Sequence, residues 1–211
     1  LRLYSNFSQR SSGVQNEYSE YSSETQTVVK PQLFALNGMI PTSRNTMTYL
    51  RYAEALNRAG YPQSAFLILK HGMCYDNLVV YVDSVERAAA AELVDFDANI
   101  FPKDRTLGIH SRGSGDSHIN EYYTLPMPTD SLATRQDTID YQIPLVEDMI
   151  IDEMALEGAF EGYRYYDLMR VALRRNDASY LAAPISRRNG EEDAALRAKL
   201  EDTSNWYLPL P

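Results

Sequence analysis

The stretch Val146–Asp177, VEDMIIDEMALEGAFEGYRYYDLMRVALRRND, decides more about the fold than any other part of the chain. Wound as an α-helix, it gathers Ile151, Ala155, Ala159, Tyr166, Met169 and Leu173 in one sector, with Glu153, Glu157, Glu161 and Arg164 opposite. Gly158 and Gly162 lie near the apolar sector, where a glycine costs about 1 kcal/mol relative to alanine. Glycines so placed signal close approach of another backbone, or else a break between two helices. The pattern predicts a helix clamped inside a helical array.

Toward the N-terminus the same period recurs. Asn45 or Thr46 suits an N-cap, and Leu50, Ala53, Leu56 and Ala59 follow at helical spacing until Gly60 stops the run. Pro62 opens a second helix, with Ala65, Phe66 and Leu69 on one face as far as Gly72. Two short amphipathic helices joined by a Gly-Tyr-Pro turn form one tetratricopeptide-like unit. Met73–Ser84 is a mixed, tyrosine-bearing stretch, and Val85–Val94 is expected to be a short helix. From Asp95 to Tyr141, Pro102, Gly108, Gly113, Gly115, Pro126 and Pro128 punctuate a long loop. Apolar anchors such as Ile109, Tyr123 and Leu125 predict that it is ordered. Glu191–Glu201 is expected to form a last short helix, and Trp206-Tyr207-Leu208 to tie the end down. Residues 1–30 are rich in Ser, Tyr, Gln and Glu and can bury little. The chain is therefore expected to divide into an irregular surface arm and connector over 1–44 and a helical domain over 45–211. The fold class is mainly α, built of tetratricopeptide-like helix pairs with long ordered loops.

The 211 residues carry a net charge of −9, which argues against a nucleic-acid backbone as partner. Cys74 is the one cysteine, so an intrachain disulfide and a cysteine-based zinc cluster are both excluded. Sixteen tyrosines stand against six phenylalanines, a balance that suits half-wet surfaces where the ring packs and the hydroxyl stays hydrated.

Each pattern that could carry chemistry also has a structural account. Glu153, Glu157 and Glu161 at i, i+4, i+8 could supply a glycosidase pair, but such carboxyls come from separate elements facing a cleft. A charged face pairing with Arg164 or a neighbouring helix accounts for them. His110 and His118 bracket a Gly-Ser loop containing Asp116, two histidines and a carboxylate where a metal wants three or four supported ligands. No G-x-S-x-G elbow is present. Arg174-Arg175 and Arg187-Arg188 fit helix C-termini. No catalytic residue, metal site or cofactor is expected. The remaining candidates are aromatic: Tyr75-Asp76-Asn77 with Tyr81, and His118-Asn120 with Tyr122 and Tyr123. Tyrosines framed by amide, carboxylate and imidazole groups are the make-up of a sugar-stacking surface, although packing the loops down is the commoner role for any single ring.

The run IIDEMALEGAFEGYRYYDLMRVALRRND resembles the late helix of the SusD/RagB-type nutrient-binding lipoproteins of Bacteroidetes outer membranes. Glu153, Glu157, Glu161, Gly162, Arg164, Asp167 and Arg170 carry that motif here. YLRYAEALNRAG at Tyr49–Gly60, GIHSRGSGD at Gly108–Asp116 and NWYLPLP at Asn205–Pro211, with Trp206, resemble further family segments in the same order. The resemblance implies a non-enzymatic role in polysaccharide utilisation. That role is cell-surface capture of a glycan or peptide nutrient for a SusC-like TonB-dependent transporter. It also implies an outer-membrane location through a lipid anchor on a longer chain, of which these residues are the C-terminal part. A helical-repeat scaffold for protein–protein contact, with no small-molecule ligand, is the rival reading.

Overall fold

Leu50, Ala53 and Leu56 are buried along one side of α1 (Asn45–Arg58), as their spacing requires. Gly60 takes φ +93°, a left-handed turn that glycine reaches without strain, and Pro62 then occupies the first turn of α2 (Pro62–Lys70). The helix pair anticipated from the sequence is thus present. The computed structural model that contains it describes residues 45–97, 99, 109, 123–130, 133–159 and 161–207.

The second helix of the pair is more deeply placed than an amphipathic pattern suggests. Pro62 and every residue from Ser64 to Leu69 are buried. Its neighbours explain this: α2 packs against α1, α3 (Tyr75–Tyr81), α4 (Ser84–Ala89) and α5 (Arg135–Glu157). The mixed stretch before Ser84 therefore holds a helix, and the one expected over Val85–Val94 is shorter and starts one residue earlier. The long loop expected as far as Tyr141 also ends early, because α5 begins at Arg135. Thr134 and Asp137 form a capping box there: Asp137 Oδ2 accepts from the Thr134 N–H at 2.9 Å, and Thr134 Oγ1 accepts from the Asp137 N–H at 3.2 Å. Most of the rest of that loop, and residues 1–44, lie outside the described residues.

The chain divides into two compact units between Glu157 and Gly158. The opening stretch is accordingly two helices: α5 ends at Glu157, and α6 runs Arg164–Arg175. Gly162 takes φ +81°, and a Cβ added there would meet nothing within 4 Å. Of the two meanings open for that glycine, the break is the correct one. The single apolar sector is corrected with it, since Tyr166 and Leu173 are 60% and 48% exposed. The face that α6 buries is Asp167, Leu168, Val171 and Ala172.

In the second unit, Asn176 at φ 51° ends α6, with the Asp177 N–H bonded to the Ala172 carbonyl at 3.0 Å. Next come α7 (Ser179–Ser186) and α8 (Ala194–Glu201), and α8 starts where Asp193 accepts from the Leu196 N–H. A 3₁₀ turn, Thr203–Trp206, closes the described part. Trp206 is buried and donates its indole N–H to the Leu200 carbonyl, while Tyr165 donates to the Trp206 carbonyl at 2.8 Å. The tie expected of Trp206 is made by these two bonds.

Candidate functional site

The aromatic candidates in the first unit stand on a helix rather than a loop. Cys74, in extended backbone, caps α3, its sulfur accepting from the Asn77 N–H. Leu78 faces the interior, so Tyr75, Asp76, Val79 and Val80 are left outward. Tyr75 is 58% exposed and Tyr81 47% exposed. Six residues of helix turn these two rings about 120° apart, so they do not share one face. Tyr81 instead stacks on His71, with ring centroids 3.6 Å apart and planes 2° from parallel. His71 is held below its ordinary pKa, to about 4, by burial and then by the Lys70 charge, so a neutral imidazole backs the tyrosine ring at neutral pH.

Asn77 is turned inward: its amide donates to the His71 carbonyl at 2.7 Å and to that of Gly72 at 3.4 Å. It fixes the α2–α3 turn. Tyr123 is 7% exposed, its hydroxyl donates to Glu153, and its carbonyl accepts from Lys70 Nζ at 2.6 Å. Its ring packs a strand of loop onto α5, which is the packing reading of these tyrosines. His118, Asn120 and Tyr122 lie outside the described residues, as do His110 and Asp116. Among the described residues, no group of three or more His, Cys, Asp or Glu could hold a metal ion.

Of the three carboxylates at i, i+4 and i+8, Glu153 and Glu157 share α5, and the break sets Glu161 apart. Glu153 is buried against Tyr123, Glu157 is the last residue of α5, and Glu161 sits in the following turn. In the second unit, Asp167 pairs with Arg170 at 3.2 Å, and Arg164 opens α6.

Sequence reasoning missed a cleft. Thr48, Tyr49 and Tyr52 come from one side of α1, Met73 from the turn after α2, and Leu93, Asp95 and Phe96 from the segment after α4. Together they line an open cleft of about 340 Å³ with almost wholly apolar walls. Met73 and Phe96 are buried, whereas Leu93 and Asp95 are exposed at the rim. The Tyr52 hydroxyl donates to the Leu93 carbonyl and so ties that rim to α1, and burial raises its pKa. The one available signal was Tyr49 and Tyr52 flanking the apolar stripe of α1, with no mark of what they face.

Helices packed about a buried central one, with no strand among the described residues, make this a mainly α-helical fold. The model of the SusD family matches residues 37–211, and the chain belongs to that family. It is a family of binding proteins that act in nutrient uptake at the outer membrane surface together with SusC-like transporters. No curated protein and no solved structure matches the chain. Among the described residues no helix is long and apolar enough to cross a membrane.

Proposed function

We propose that this chain is the C-terminal helical part of a lipid-anchored cell-surface receptor. It captures a glycan or peptide nutrient and hands it to a SusC-like TonB-dependent transporter, with no chemistry of its own. The observation that carries the reading is the family match over residues 37–211. The family match begins at residue 37, within the connector expected over 1–44. The outward Tyr75 on α3, with Asp76 beside it, and the Tyr81 ring backed by neutral His71 are the groups most suited to stacking a pyranose or an apolar side chain. His118, Asn120 and Tyr122 extend the same proposal.

Calorimetry of the full-length protein against panels of oligosaccharides and oligopeptides tests this. Binding without release of reducing sugar is expected, and Tyr75→Ala with Tyr81→Ala should weaken it by roughly tenfold, the effect of losing one or two stacked rings. Release of reducing sugar that a single carboxylate substitution abolishes would overturn the binding reading. No binding across both panels would move the assignment to the helical scaffold.

A further inference from the structure

The cleft beside α1 suits a ligand of a different kind from the nutrient. We propose that it binds a quaternary ammonium group. Three aromatic residues, Tyr49, Tyr52 and Phe96, line one open cleft with Met73, and the exposed Asp95 stands at its rim. Aromatic rings attract a cation through the negative potential of their faces, and a fixed carboxylate nearby adds a direct charge attraction. At 340 Å³ the space lies within the size range of small-molecule sites.

The competing ligand classes fit less well. A sugar needs a hydrogen-bond partner for each hydroxyl it buries, and these walls are nearly all apolar, with the Tyr52 hydroxyl already given to Leu93. An anion would meet Asp95 and a chain of net charge −9. A quaternary ammonium has no N–H to satisfy, so apolar walls cost it nothing in lost hydrogen bonds. The same group occurs on free solutes and on phosphocholine lipid head groups, and the cleft chemistry is common to both.

Choline and its uncharged carbon isostere, 3,3-dimethylbutanol, separate charge recognition from mere apolar fit. In titrations of the full chain, choline should bind about tenfold or more tightly than the isostere, because the two differ only in the charge that the rings read. Tyr49→Leu and Asp95→Asn should each weaken choline binding severalfold and leave the isostere unchanged, with far-ultraviolet dichroism confirming the fold. Sedimentation with phosphatidylcholine vesicles assigns the source: pelleting that free choline competes away makes it the lipid head group, and choline binding without pelleting makes it a solute. Equal affinity for the isostere, or no choline binding up to roughly 50 mM, overturns the proposal. The inference stands apart from the nutrient reading. Tyr75→Ala, which tests that reading, should leave choline binding unchanged.

Discussion

Of the nine polar side chains buried among the described residues, seven belong to the unit ending at Glu157 and two to the unit that follows. In the first unit many of their bonds run between elements, although Glu54 pairs with Arg51 and Arg58 of its own helix. Arg58 of α1 reaches Glu147 of α5 at 3.0 Å, and Asn57 donates to the Ile143 carbonyl at 2.8 Å. Gln142 donates to the Pro126 carbonyl at 2.9 Å, and Tyr123 to Glu153. In the second unit the corresponding bonds are short in sequence: Asp167 to Arg170, and Ser186 to the Ala183 carbonyl, each spanning three residues. One unit is assembled by polar contacts that only the fold brings together. The other shows more bonds between near neighbours in sequence, with Tyr165 to the Trp206 carbonyl as its long-range tie.

That contrast is easiest to break at Arg58. It pairs with Glu54 and with Glu147, both nearly fully buried. Arg58→Met would take one cation from two buried carboxylates, of which Glu54 keeps Arg51 at 3.4 Å, a loss of about 3 kcal/mol, read as a large fall in the urea midpoint. Arg197 in the second unit also joins two carboxylates, Glu192 and Glu201, but on an exposed face. Arg197→Ala should leave the midpoint unchanged, as exposed pairs contribute little. Equal effects at the two arginines would erase the distinction between the units.

A smaller effect comes from pH. The folded pKa of His71, about 4, lies below the unfolded value of 6.5, so the unfolded chain takes up its proton first as pH falls. Stability from this group is complete above pH 6.5 and is lost between there and about 4. Its half-buried setting reduces the loss to the order of 1 kcal/mol. Glu86 works in the opposite direction, since burial raises its carboxyl, and Asp83 loses its contribution only below its usual range. Comparing urea midpoints of wild type and His71→Gln from pH 7 to 4.5 isolates the histidine. Parallel curves would show that it does not feel the α2–α3 turn.

An effect of similar size tests the break itself. Gly162→Ala meets no neighbour but must hold a left-handed backbone, a strain of about 1–2 kcal/mol. Gly162→Leu should cost the same within error, because the penalty is conformational. A much larger loss for leucine would mean a close packing contact at that turn.

The sequence made some of this plain and hid the rest for identifiable reasons. Gly60, Pro62, Gly162 and Trp206 act through backbone conformation or a single large side chain, and each does what its residue type implies. The start of α5 was obscured by Pro144 within the helix and by Gln142, Glu147 and Glu153 on its buried stripe. Those three look solvent-facing until their partners are known. Helix α7 contains Pro184, and α3 is seven residues capped by a cysteine, so neither carries a conventional signal. In the aromatic site the residue types were legible, but not the partners: Asn77 and Tyr123 are spent on holding turns and loops. The cleft was hidden because its walls come from three separated segments.

The first N–H groups of α2 have no capping side chain of their own, and Tyr61 supplies none. Glu86, from α4, accepts from the Ser64 N–H at 2.7 Å, the Ser64 hydroxyl at 2.8 Å and the Gln63 N–H at 3.3 Å. The end of the central helix is thus closed by a residue that leaves the ribosome more than twenty positions later. Until that carboxylate arrives, α2 has an open end in water. Once it has docked, fraying of the helix start becomes inseparable from release of α4, and Pro62–Ala89 opens and closes as one cooperative segment.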